Sequence, residues 1–229
     1  MARIPRYLTL DNDRQTHKIW RGHNKDWNIA TFDEKAAYME FLNKLLVKQK
    51  NDLNAYGLMS NHTHELYDIV DRVDFSRLMR DHHSRYGMFF NKKRQRCGPV
   101  AYDRPKTCLI ESDEYSMRAT FYIHANPIRA GITRNAANYK WSTHKLYAFG
   151  DRDEFNKNVK FPGWYMELGA TWEDRRRVYR QLFDLYLKEE GLIRQGFLHN
   201  RFLGSIVWMA GKNEAVRDWR RESVAQSPP

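Results

Sequence analysis

Two histidines one residue apart, His62 and His64, stand in the stretch Leu58-Met59-Ser60-Asn61-His62-Thr63-His64-Glu65-Leu66-Tyr67. On a β-strand successive side chains point to opposite faces, so both imidazoles project from one face with Thr63 behind them. Two imidazoles on one rigid face make half of a divalent-metal site, with the other ligands supplied from elsewhere. Taken alone, the pair fits a surface or core role equally well. A second stretch, Phe121-Tyr122-Ile123-His124-Ala125-Asn126-Pro127-Ile128-Arg129-Ala130-Gly131, adds a phenol and an amide. Tyr115, Ala119, Tyr122 and Asn126 fall at helical offsets, so Tyr122 and Asn126 are neighbours one turn apart. Pro127 disfavours helical geometry at the residue before it, which puts Asn126 at the helix end. A phenol, with an ordinary pKa of about 10, attacks a phosphodiester once a nearby cation neutralises the developing charge. Such an attack leaves a covalent phosphotyrosine and keeps the bond energy for religation. Spacing alone also fits Tyr122 and Phe121 as core aromatics.

The elements that must position these groups are legible from periodicity. His17-Lys18-Ile19-Trp20-Arg21-Gly22 reads as a strand after an extended basic arm and a polar turn. Asp33 to Lys50 has a helical stripe, with Asp33 or Thr31 near its cap. Asp52–Met59 and His62–Val70 read as a hairpin across Ser60-Asn61. A second helix covers Asp74 to Lys93, with Phe75, Leu78, Met79, His82, Tyr86 and Phe89 facing inward. Lys106–Glu111 is a further strand, and Ser112 or Asp113 caps the helix that carries Tyr122.

Strand, helix, strand, strand, helix, strand is a split βαβ pattern. The expected class is α+β, a ferredoxin-like antiparallel sheet with helices on one face. Residues 143–163 look loop-like. Thr171-Trp172-Glu173-Asp174 resembles a capping box opening a helix to about Glu190, and a last helix covers Glu214–Glu222 before a frayed tail. Residues 1–150 are therefore expected to form the chemical domain and residues 151–229 a helical C-terminal extension.

The net charge of +11 and pI near 9.6 point to a polyanionic partner, nucleic acid ahead of a membrane surface. Aromatics at 14% suit stacking on unpaired bases. Cys97 and Cys108 have no CxxC spacing, which argues against a zinc finger or disulfide scaffold and fits a reducing cytoplasm. No apolar run is long enough to span a bilayer, and the basic, proline-interrupted start lacks a signal-peptide pattern.

The His62-Thr63-His64 stretch together with Tyr122-Ile-His-Ala-Asn-Pro-Ile-Arg-Ala-Gly131 resembles the single-tyrosine HUH transposases, and among them the bacterial REP-associated tyrosine transposases. Tyr139-Lys140-Trp141-Ser142 is similar to the family's Tyr-x-Trp-Ser-Ser element, and Trp20-Arg21-Gly22-His23-Asn24 loosely matches its Arg-Gly-Asn turn. The resemblance implies that His62 and His64 bind Mg²⁺ or Mn²⁺, that Asn126 is a third polar ligand and that Tyr122 is the nucleophile. Tyr115 is a rival on the same stripe. Thr63 and Glu65 depart from the family, which has apolar residues at both positions; both side chains point away from the imidazole face, so a packing adjustment is expected there. His82, His83 and His124 are alternative ligands with more ordinary structural roles.

The resemblance further implies a transposase and single-strand endonuclease that cleaves and rejoins hairpin-forming DNA through a 5′-phosphotyrosine. Its setting would be the bacterial cytoplasm, at the nucleoid, acting as a monomer, with a dimer as the alternative. DNA-contact candidates, from charge and placement, are Arg3, Arg6, Arg80, Arg85, Lys92, Lys93, Arg94, Arg96, Arg104 and Arg129. A hairpin-binding protein without catalysis, and a hydrolase using water in place of tyrosine, are the rival readings.

Overall fold

The computed structural model describes residues 4–23, 26–101, 103–189 and 200–225. Arg3 and residues 226–229 of the expected tail therefore lie outside the described residues. The first half of the chain runs Arg14–Arg21 (β1), Phe32–Leu46 (α1), Asp52–Leu58 (β2), His62–Ile69 (β3), Arg72–Lys93 (α2) and Lys106–Ile110 (β4). The strands lie in the order β2-β3-β1-β4 with antiparallel neighbours, the split βαβ arrangement expected. Among the described residues a fifth strand, Phe202–Leu203 (β5), pairs parallel with β4.

Local chemistry sets the first two helices. Thr31 and Glu34 form a reciprocal capping box at α1, and Asp71 accepts from the Val73 and Asp74 amides at α2. The apolar stripes of both helices bury Tyr38, Met39, Leu42, Phe75, Leu78, Met79 and Tyr86 against Leu53, Leu58, Tyr67 and Ile69 of the sheet. Phe90 is buried in that core, and Phe89, expected inward, is only partly covered.

The opposite face is covered by Asp113–Arg129 (α3), then His144–Phe149 (α4), Gly163–Met166 (α5) and Trp172–Lys188 (α6). Ala55, Leu66 and Ile110 from the sheet meet Ala119, Tyr122 and Ile123 of α3, with Tyr147, Trp164, Tyr179 and Phe183 beyond them. Ile206–Ala225 (α7) packs Val216 and Trp208 against Leu109, Phe202 and Ile4. No described helix is long and apolar enough to cross a membrane.

Four expectations change. Asn126 is not at a helix end, because α3 continues through Pro127 to Arg129. Proline removes one donor, that to the carbonyl four residues back at Ile123, and the surrounding contacts hold the helix beyond it. Residues 143–163 are not all loop: His144–Phe149 is a short helix closed by Gly150 in the left-handed region, φ 79°. The last helix starts at Ile206 rather than Glu214 and runs to Ala225, since an apolar, exposed first turn gives no periodic signal. β5 makes the C-terminal portion more than helical.

Between the sheet and α1/α2 sits a buried polar cluster that explains Thr63 and Glu65. Lys18 Nζ donates to both Glu65 oxygens at 2.9 and 2.8 Å, and the Tyr38, Tyr67 and Thr63 hydroxyls donate to the same carboxylate. Burial pushes the Glu65 pKa up, but the Lys18 charge and these donors outweigh it and hold the carboxylate at about 2. Lys18→Met should therefore cost about 3–5 kcal/mol by leaving a buried charge without its cation. Adding Glu65→Leu should recover most of that loss in urea unfolding, and a single variant as stable as wild type would contradict the pairing.

Burial also lowers the pKa of His82, aided by Lys18, and that of His144, each to about 4. Both values lie below the unfolded value near 6.5. The unfolded chain thus takes up protons first as pH falls, and stability declines from about 6.5 down to about 4. Urea midpoints should be flat between pH 7 and 8 and drop across that lower window.

Candidate active site

β3 carries His62 and His64 toward α3, while Thr63 and Glu65 face α1 and α2. Pairing with β1 sets His17 opposite Leu66 and Ile19 opposite His64, so His17 shares the imidazole face. His17 Nε2 and His64 Nδ1 are hydrogen-bonded at 2.9 Å, and the two rings stack at 5.0 Å. His62 Nδ1 bonds the Asn61 side-chain oxygen at 2.6 Å, and the His62 and His64 rings lie 4.9 Å apart.

Burial is the main cause that keeps these rings neutral. It brings His17 to about 3 against the opposing charge of Glu65, and His62 to about 4 with help from Arg21. His64 lies well below the usual histidine range, through burial first and then through its neighbours His17, His62 and Arg21. Neutral imidazole is the form that ligates a metal.

Tyr122 reaches the same face from α3. Its ring is 5.4 Å from that of His64 at 85°, and 6.1 Å from that of His17. Gly57 makes this approach feasible: it pairs with His64 in the register, and a Cβ there would meet the Ile123 carbonyl at 3.1 Å. That carbonyl is the one Pro127 deprives of its helical donor. On the outer side, the Arg129 guanidinium lies over the Tyr122 ring at 5.0 Å and the Tyr186 ring at 5.3 Å, and donates to the Tyr186 hydroxyl at 2.7 Å. Tyr122 is 3% exposed.

Two neutral imidazoles on one face have the donor chemistry for a divalent ion. His64 Nε2 is buried with no hydrogen-bond partner, and His62 has its Nδ1 engaged, which leaves its Nε2 for a ligand. Asn126 lies one turn beyond Tyr122, and its amide nitrogen is likewise buried without a partner; rotating the amide exchanges nitrogen for a ligating oxygen. Among the described residues no three His, Cys, Asp or Glu side chains gather for a metal, so an ion held by His62 and His64 would need a donor of another type.

The remaining candidates sit elsewhere. Tyr115, half-buried at the start of α3, lies beside Arg118, with the cation 5.9 Å from its ring. His82 bonds the Tyr38 carbonyl, His83 stacks on Trp20, and His124 bonds Tyr179 and Thr143. Arg80, Arg85, Lys92 and Lys93 are exposed on α2, the sheet side away from Tyr122, with Arg80 paired to Asp81 and Lys93 to Asp33. Arg94 pairs with Glu34, Arg96 bonds the Pro99 carbonyl, Arg104 that of Ile4, and Arg6 the Met79 sulfur. Among the described candidates, Arg129 alone is placed against Tyr122. His17, Gly57 and Tyr186 had no sequence signal of their own, because their roles come from strand register and from a helix about 60 residues downstream.

No family model and no curated protein matches the chain. Among solved structures, a REP-associated tyrosine transposase bound to a REP hairpin matches with a TM-score of 0.54 and 16% identity, over 71% of this chain and 100% of that one. At that identity the likeness establishes the fold, a transposase-like sheet and helix arrangement, while activity has to be argued from the site.

His17 Nε2 bonds His64 Nδ1, so in a metal-binding reading of the site it would position the His64 ring. His17→Phe should weaken Mn²⁺ binding in titration calorimetry by about 10- to 100-fold, as loss of an outer hydrogen bond to a metal histidine does. Unchanged affinity in a folded His17→Phe would remove His17 from that role.

Proposed function

We propose that the chain is a metal-dependent single-strand DNA endonuclease and strand transferase, of the REP-associated tyrosine transposase type, acting on hairpin-forming DNA. The observation that supports it best is the Tyr122 ring 5.4 Å from His64, on the face that also carries His62. The basic charge and the hairpin-bound structural neighbour support DNA as partner.

In this reading His62, His64 and Asn126 hold the cation. When bound, Mg²⁺ or Mn²⁺ supplies charge neutralisation and orientation for the scissile phosphate. The Tyr122 phenolic oxygen attacks phosphorus in line and gives up its proton to solvent, the bond to the 3′ oxygen breaks, and that oxygen takes a proton from solvent and leaves as a hydroxyl. Arg129, whose guanidinium lies 5.0 Å from the Tyr122 ring, would contact the scissile phosphate. With Tyr122 3% exposed, the strand reaches it only when the cover from Arg129 and Tyr186 shifts. Imidazole donors favour Mn²⁺ over Mg²⁺.

The covered tyrosine also favours a second reading, a hairpin-binding protein that no longer cleaves. Incubation with labelled single-stranded hairpin DNA and Mn²⁺ separates the two. A denaturation-resistant protein–DNA complex is expected for wild type, and none for Tyr122→Phe or His62→Ala. Tight, salt-sensitive binding without any such complex in Mn²⁺ or Mg²⁺ would favour the binder. Free DNA ends together with activity in Tyr122→Phe would point to water as nucleophile.

A further inference from the structure

A cleft of about 810 Å³ opens on the sheet face away from Tyr122, between α2, residues 98–101 and 103–105, and Arg6. That volume suits one small organic ligand, which sites of roughly 300–1,000 Å³ commonly hold. Trp20 and His83 line it. Trp20 pairs opposite Thr63, which puts its indole on the α1/α2 side. The Tyr38, Trp20 and His83 rings form a stacked column, with Trp20 to Tyr38 at 5.7 Å and Trp20 to His83 at 4.8 Å and 6°. His83 Nε2 is buried with no hydrogen-bond partner, so a polar group at the end of the column is unsatisfied.

Charge in the same cleft is one-sided. Arg6, Arg77, Arg80 and Arg104 line it against a single lining carboxylate, Asp103. Arg77 and Arg80 are paired with Asp74 and Asp81. Arg6 and Arg104 have no carboxylate partner among the described residues: Arg6 donates to the Met79 sulfur and Arg104 to the Ile4 carbonyl. The two guanidiniums are close enough for Arg104 to depress the Arg6 pKa, second to burial. Two neighbouring guanidiniums that form no ion pair with a described carboxylate, beside an aromatic stack lining the cleft, match a phosphate carrying a flat heterocycle.

We infer that this cleft seats one unpaired nucleotide of the bound strand, its phosphate on Arg6 and Arg104 and its base against the Trp20–His83 stack. The inference rests on the reading of the chain as a DNA-binding protein. It adds a second contact on the far side of the sheet from Tyr122, so that a hairpin with a single-stranded tail is gripped at two places.

Fluorescence anisotropy on the full chain tests it, with fluorescein-labelled blunt hairpins and the same hairpins carrying an eight-nucleotide tail of mixed sequence. Arg6→Gln/Arg104→Gln should weaken tailed-hairpin binding about tenfold more than blunt-hairpin binding. It should also lower the salt slope on the tailed hairpin by about 1 to 2. His83→Ala should lose tail preference and His83→Phe should retain it, because stacking needs only a ring. Equal losses on both hairpins, or no loss on either, would overturn the cleft assignment and leave the DNA reading standing. Failure of wild type to bind either hairpin would overturn both. Displacement of the tail effect by millimolar free deoxynucleoside monophosphates would reassign the cleft to a free nucleotide.

Discussion

The geometry depends on a close approach of backbone to backbone. At Gly57 the absence of a side chain lets the Ile123 carbonyl of α3 settle against the strand next to His64. Tyr122 precedes Ile123, so this contact sets how far the phenol stands from the imidazoles. Pro127 contributes by freeing that same carbonyl from the helical ladder without breaking the helix. A methyl group at residue 57 would crowd the Ile123 carbonyl at 3.1 Å, so that α3 or the strand would have to give by a few tenths of an ångström.

The two faces of β3 solve different problems with polar residues. On one, burial keeps His17, His62 and His64 neutral, and the His64 Nε2 is buried without a hydrogen-bond partner. On the other, Glu65 is charged and fully bonded to Lys18, Tyr38, Tyr67 and Thr63. A satisfied network can be buried at modest net cost, and its fixed geometry keeps the strand from slipping register. A slip of one residue would exchange the two faces and bury the carboxylate where the imidazoles belong.

Much of this was legible in the residues themselves. The alternation along 62–69 gave the shared face of the two histidines, and helical offsets gave Tyr122 and Asn126 as neighbours. The split βαβ order followed from period changes at Asp33, Asp52, Asp74 and Lys106. What escaped was long-range. His17 acquires its role from pairing with β3, and Arg129 and Tyr186 meet only because α6 folds back over α3. The proline rule misplaced the end of α3, because tertiary packing overrode a local preference. Residues 143–149 are too short and too mixed for a helical period to show.

The central claim is that the phenol of Tyr122, and not another hydroxyl, becomes linked to DNA beside His62 and His64. Mass-spectrometric mapping of a trypsin-digested covalent complex tests this directly. Cleavage after Arg118 and Arg129 releases Ala119–Arg129, whose one tyrosine is Tyr122. A nucleotide remnant on that peptide is the expected result. A remnant on the peptide that carries Tyr115, with Ala119–Arg129 unmodified, would contradict the account.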